Sequence, residues 1–254
     1  MTDRCSSLRG AARRILVVIG AAGAVAGCTA DFKGPAPPMR SLDEPVAVAA
    51  LPDMCHVLVA NGNFDLSHRS GSVVPVDVAS RSVIADRGVE IGAFAGQIRV
   101  HPNGRYGYVS VRGDDSITWF EIVTDGDAPS LDCDADADGR CSDAHRLTVD
   151  KEPGSDRLLT EPLGLELACP RDGTGCLPGS RVSGLVTTWM RSGEVAYHPV
   201  GADGKPWGAG YVPKTGHRLT TPGFPQDITT VSGAKGLALA AGAGCGAVGG
   251  RVGR

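Results

Sequence analysis

Three times along this chain a short apolar run is followed by a polar turn and then by a strand-like stretch of alternating residues. The first members are Val57-Leu58-Val59-Ala60-Asn61, Tyr106-Gly107-Tyr108-Val109-Ser110-Val111 and Gly184-Leu185-Val186-Thr187-Thr188-Trp189. The second members run from Gly71 to Asp77, Asp115 to Glu121 and Gly193 to His198. A period of two places alternate side chains on one buried face, and the turn residues between the runs make each pair a hairpin. No helix-period pattern is sustained beyond the N-terminal region, and Gly and Pro are abundant at 36 and 17 residues. The expectation is therefore an all-β protein. The alternating strands begin at 71, 115 and 193, so the first step is 44 residues, the size of one propeller blade. The second step is 78, and its excess matches a polar stretch at about 124–157 that holds Cys133 and Cys141. One unit plus a cysteine-pinned insertion explains that spacing, and a missed, divergent blade is the alternative.

These residues resemble the YVTN-type β-propeller repeat family, whose repeat runs from a Pro-Asp-Gly turn to a Tyr-Val-Thr-Asn strand and on to a strand ending in Asp. Pro102-Asn103-Gly104 with Tyr108-Val109-Ser110 is the best copy, followed by Leu58-Val59-Ala60-Asn61 with Val73 to Asp77. Leu185-Val186-Thr187-Thr188 matches poorly, and Pro225-Gln226-Asp227-Ile228 looks like the opening of one more unit. The resemblance covers about residues 55–231 and implies propeller-like blades. A structural repeat carries fold much further than function.

The N-terminus reads as a targeting signal. Arg4, Arg9, Arg13 and Arg14 precede an uncharged run from Ile15 to Ala26 that is too short to span a bilayer. Its ending, Val25-Ala26-Gly27-Cys28, resembles the bacterial lipobox. That implies a signal peptide over 1–27, lipid attached to Cys28 and a cell-envelope location. Thr29 stands where an inner-membrane retention Asp would be, which favours the outer membrane. Acyl chains bury enough methylene groups to anchor a protein stably when two or more are present. Residues 28–52, with Gly34-Pro35-Ala36-Pro37-Pro38, read as a Pro/Ala-rich tether, and the propeller-like domain is expected over 53–232.

Of eight cysteines, Cys5 leaves with the signal and Cys28 takes the lipid, so six remain in an oxidising compartment. An even number there favours disulfides over metal or catalytic thiols. Cys133 with Cys141 and Cys169 with Cys176 are the favoured local pairs, and Cys55 and Cys245 pair by elimination. A formal net charge of −3 gives no electrostatic reason to expect nucleic acid as a partner.

Few residues offer chemistry. Asp134-Ala135-Asp136-Ala137-Asp138-Gly139 begins like a calcium loop, with carboxylates at alternate positions before a glycine. The twelfth position, which should be a bidentate Glu, is His145. Asp134, Asp136 and Asp138 are thus candidate ligands for a loosely held Ca²⁺ at most, and a solvated acidic insertion is the other reading. No Gly-x-Ser-x-Gly elbow and no histidine pair at metal-ligand spacing occurs, so no catalytic residue is assigned. Trp207, in the turn-rich Gly204-Lys205-Pro206-Trp207-Gly208, is the aromatic offered as a ligand contact. The leading expectation is a surface-anchored, non-catalytic propeller that binds a protein or glycan. The alternative is a lactonase-type propeller hydrolase assisted by a metal in the central channel. Residues 233–254 hold eight glycines and no aromatic or acidic residue, which predicts a disordered tail and an incomplete ring.

Overall fold

Each of the three expected hairpins is present, and each carries one further strand ahead of it. The structure is a computed structural model and describes residues 34–126, 128–149, 159–169, 176, 181–208, 210, 227–230, 239–243 and 246–250. Four antiparallel sheets follow one another in sequence. The first contains β1 (Pro45–Ala50), β2 (His56–Asn61), β3 (Gly71–Asp77), β4 (Ser82–Val83) and β5 (Val89–Ile91). The second contains β6 (Ala95–Val100), β7 (Tyr106–Val111), β8 (Ser116–Asp125), β9 (Ala128–Asp132) and β10 (Arg146–Leu147). The third is β11 (Pro162–Ala168), β12 (Gly184–Trp189) and β13 (Glu194–Pro199). The fourth is β14 (Asp227–Thr230), β15 (Leu239–Ala243) and β16 (Gly246–Gly250). The first strands stand side by side, β1 against β6, β6 against β11 and β11 against β14. That is the arrangement of propeller blades around an axis. The described strands make an open arc of four blades, with no sheet closing the ring.

The alternation in the sequence expresses burial on both faces of a blade, not on one. All six residues of β7 are buried. Val109 and Val111, with Phe120 and Ile122 of β8, pack towards Leu58, Val73 and Ile91 of the first blade. Tyr106 and Tyr108, with Ile117 and Trp119, pack towards Leu165, Leu167 and Leu185 of the third. A blade in the interior of the arc has a neighbour on each side, so both sets of alternating residues leave water. Gly107 has no side chain because the Phe120 ring of the paired strand covers its place, and an added Cβ would come within 2.2 Å of Phe120 Cε2.

Three boundaries differ from expectation. The tether foreseen for 28–52 ends earlier. Pro45–Ala50 pairs with β2 as the inner strand of the first blade, and the Pro35 carbonyl already accepts the Arg69 N–H at 2.9 Å. Small Val and Ala side chains gave that strand no amphipathic signature, whereas its backbone groups are fully able to pair. The domain therefore begins ahead of residue 53. The insertion foreseen at 124–157 also starts later, because Thr124 and Asp125 belong to β8 and Ala128–Asp132 continues the same sheet. Beyond Asp132 the chain returns to the outer edge of the second blade at Arg146–Leu147, and the next described sheet is the third blade, so the spacing reflects an insertion rather than a missed blade. Lastly, residues 239–243 and 246–250 pair as β15 and β16 instead of lying in a disordered tail. Ladder hydrogen bonds come from the backbone, which glycine possesses like any residue.

Candidate functional site

Two places gather chemistry, and the first lies on the inner strands. All three inner strands with described side chains are bulged: β1 between Pro45 and Ala47, β6 between Ala95 and Ile98, β11 between Pro162 and Leu165. Bulges re-aim side chains and cluster next to active sites. Here they bring Gln97 and Arg99 of β6 to Glu166 of β11. Arg99 Nη2 lies 3.3 Å from Glu166 Oε2 and 3.3 Å from Gln97 Oε1. Gln97 Oε1 also accepts the Leu165 N–H at 2.9 Å, at the bulge of the neighbouring strand. Glu166 Oε1 accepts the Leu167 N–H at 3.0 Å. Arg99 and Glu166 keep 31% and 19% of their side-chain surface, so water reaches a guanidinium and a carboxylate whose geometry is fixed from both blades.

The second place is a pocket of about 430 Å³ between the outer parts of the second and third blades. Trp119 of β8 forms its floor, with its indole N–H donated to the Ala144 carbonyl at 3.2 Å. His145 stacks on the indole at 3.8 Å between ring centroids, and its Nδ1–H donates to the Trp119 carbonyl at 2.9 Å. One wall, with Asp134 and Thr148, comes from the insertion. The other comes from the loop after β13, whose Lys205 places its ammonium 5.2 Å from the centre of the Trp119 ring. That loop is held from beneath. Tyr108 donates its hydroxyl to the Gly204 carbonyl, and Asn103 Nδ2 donates to the Asp203 carbonyl at 2.5 Å. Gly204 sits at φ +96°, where a Cβ would meet Tyr106 at 2.8 Å and His101 at 3.0 Å. Burial pushes the Tyr108 hydroxyl far above its ordinary pKa, keeping it a donor.

The acidic loop does not converge. Asp134 turns to His145, with Oδ2 3.3 Å from Nε2. The Asp138 carboxylate accepts the Arg140 N–H at 3.1 Å, and its carbonyl accepts from Arg69. The Asp136 N–H donates to the Arg140 carbonyl at 2.7 Å, folding the loop on itself. Among the described residues no three His, Cys, Asp or Glu come together as a metal cage. Arg69 ties this loop to the first blade through a bidentate pair with the buried Glu90 at 2.7 and 2.8 Å.

Both local disulfides form, Cys133–Cys141 with Cα atoms 5.1 Å apart and Cys169–Cys176 with 5.4 Å. Cys55 is an exposed free thiol among the described residues, and its expected partner Cys245 lies outside them, as does Cys28. Trp207 is 64% exposed on the loop that carries Lys205. The sequence singled out this loop through its aromatic residue and passed over its lysine. It passed over Gln97, Arg99 and Glu166 altogether, because a bulge breaks the alternation by which a strand is recognised.

A sequence model of the family described as "Lactonase, 7-bladed beta-propeller" matches residues 64–140, under a third of the chain. No curated protein matches. Among solved structures, the periplasmic gluconolactonase of Pseudomonas aeruginosa is 16% identical, with a TM-score of 0.50 over 78% of this chain and 50% of that one. A functionally unknown protein from Desulfotomaculum acetoxidans is 14% identical, with a TM-score of 0.45 over 77% of this chain and 48% of that one. A putative 6-phosphogluconolactonase from Bacteroides uniformis is 16% identical, with a TM-score of 0.43 over 81% and 55%. The chain spans about half the length of these structures. The first likeness agrees with the propeller-type arc of blades.

Proposed function

We propose that this chain belongs to a lactonase-type propeller hydrolase and that Arg99, Glu166 and Gln97 on the inner strands carry the ring opening of a sugar lactone. The observation that carries this reading is the placement of a carboxylate beside a guanidinium on adjacent bulged inner strands. The lactonase family match over residues 64–140 supports it, as does the fold shared with the gluconolactonase of Pseudomonas aeruginosa. Together they favour a hydrolase over a non-catalytic binding module.

Lactone hydrolysis asks for a base and for a stabiliser of the oxyanion. The Glu166 carboxylate takes a proton from water as its oxygen bonds to the lactone carbonyl carbon. The Arg99 guanidinium donates to the carbonyl oxygen as it becomes negative. Collapse of the tetrahedral intermediate breaks the ring C–O bond, and the departing oxygen takes the proton from Glu166. The product is a hydroxy acid, which ionises and releases one proton to solvent. Gln97 holds Arg99 and anchors the neighbouring strand, which makes it a positioning residue. The donor set here does not fit a divalent cation, since a guanidinium already faces the carboxylate, and no step is drawn through a metal.

The test follows base uptake at constant pH while the purified chain acts on glucono-1,5-lactone. Release of acid above the spontaneous rate, lost in Arg99→Met, supports the reading. A rate equal to that of buffer overturns it. An envelope location with lipid on Cys28 belongs to the same proposal. The two disulfides support it, as they persist where the surroundings oxidise.

A further inference from the structure

We propose that the pocket between the second and third blades is a binding site for a small hydroxylated organic anion, separate from the inner-strand site and argued without it. The insertion that builds one wall of this pocket gives the second blade only its short outer strand β10, and the stretch from Cys133 to His145 lies outside the strands of the blade. It is nonetheless fixed by a disulfide at Cys133–Cys141 and by the Arg69 link to the first blade. The opposite wall is fixed as firmly by Tyr108 and Asn103. The insertion and the loop after β13 are thus held facing each other across a cavity, as binding loops on a scaffold are.

The lining sets the ligand's chemistry. Lys205 is exposed to the pocket and has no carboxylate within salt-bridge reach among the described residues, which leaves its charge for an anion. Across from it the Asp134 carboxylate and the Thr148 hydroxyl offer acceptors for hydroxyl groups. The stacked pair of Trp119 and His145 closes the floor, and both rings are almost wholly buried. Arg146, the second cation of the lining, is taken up by Asp143 and by the Cys141 carbonyl, each at 2.8 Å, so a bare anion satisfies only Lys205 and a neutral polyol leaves Lys205 unanswered. A ligand carrying both a carboxylate and several hydroxyls satisfies both walls. The cavity volume falls within the range of small-molecule sites.

Calorimetric titration of the full chain with sodium gluconate tests this, with acetate and sorbitol as the partial ligands. Gluconate should bind more tightly than either. Lys205→Met should weaken it about tenfold or more, the loss expected for a charge-assisted hydrogen bond. Lys205→Arg should retain most of the affinity, and thermal unfolding should show all variants folded. Asp134→Ala should weaken gluconate and leave acetate unchanged. Absence of gluconate binding, binding insensitive to Lys205→Met, or acetate binding as tight as gluconate overturns the proposal. Glu166→Gln separates the two readings. Gluconate binding that survives Glu166→Gln and fails in Lys205→Met belongs to this pocket even if the chain hydrolyses no lactone. The reverse pattern places the ligand on the inner strands and refutes the pocket.

Discussion

Removing the Cys133–Cys141 bridge should cost more than the short loop it closes would suggest. The joined residues are eight apart in sequence, and the chain-entropy relation for such a loop gives about 2.5 kcal/mol at 25 °C. Both cysteines are almost fully buried, at 2% and 1% exposure, in the core between the first and second blades. Replacing both by alanine therefore also leaves small voids, adding about 1 kcal/mol. A double Cys133→Ala, Cys141→Ala variant should lose about 3.5 kcal/mol in urea unfolding followed by tryptophan fluorescence. Reductant should then destabilise the variant by less than it destabilises the parent, since one of the two described bridges is already gone. A variant within about 0.5 kcal/mol of the parent, the scatter of an ordinary surface change, would rule this stabilisation out. It would mean that the unfolded chain is no freer without the bridge, or that the insertion is not packed on the core.

The remaining predictions use other parts of the fold. Burial pulls the His198 imidazole down to about 4, from an ordinary value of 6.5, so the unfolded chain binds its proton first as pH falls. Its contribution is whole above pH 6.5 and is lost by about 3 kcal/mol on the way down to 4; urea midpoints at pH 7 and 5 should show the drop, and in His198→Gln this part of the slope should vanish. Gly204→Ala should destabilise by about 1–3 kcal/mol through left-handed strain and contact with Tyr106 and His101, and an unchanged melting temperature would count against the described loop. Phe120→Ala, which empties a fully buried site beside Gly107, should cost about 3–5 kcal/mol in the same urea assay. In cells fed a labelled fatty acid, label should enter the parent and be absent from Cys28→Ala, and equal labelling would remove the lipid anchor.

What could be read from the sequence depends on the physics of each strand. The pairs β2–β3, β7–β8 and β12–β13 were legible because bulky residues such as Val59, Tyr108, Trp119 and Leu185 alternate without interruption between turns. The inner strands were not. β1 carries only small apolar side chains beside a Pro-rich stretch, and β6 places a bulge between Ala95 and Ile98 that shifts its register. The candidate hydrolytic residues lie on those inner strands, so the distortion that aims Arg99 and Glu166 at each other also hid them. The two local disulfides were legible from the spacing of their cysteines. The pocket was illegible for a different reason. Trp119, His145 and Lys205 are distant in sequence, and only the stacking of two blades brings them to one cavity.

The proposed hydrolysis stands on the carboxylate of Glu166, aimed by a bulged inner strand at Arg99, acting as the base. The most direct measurement is the pH-stat rate for glucono-1,5-lactone with Glu166→Gln beside the parent, at matched melting temperature. There kcat should fall by about a hundredfold or more, the usual contribution of a general base, with KM little changed. A Glu166→Gln protein as active as its parent would contradict it.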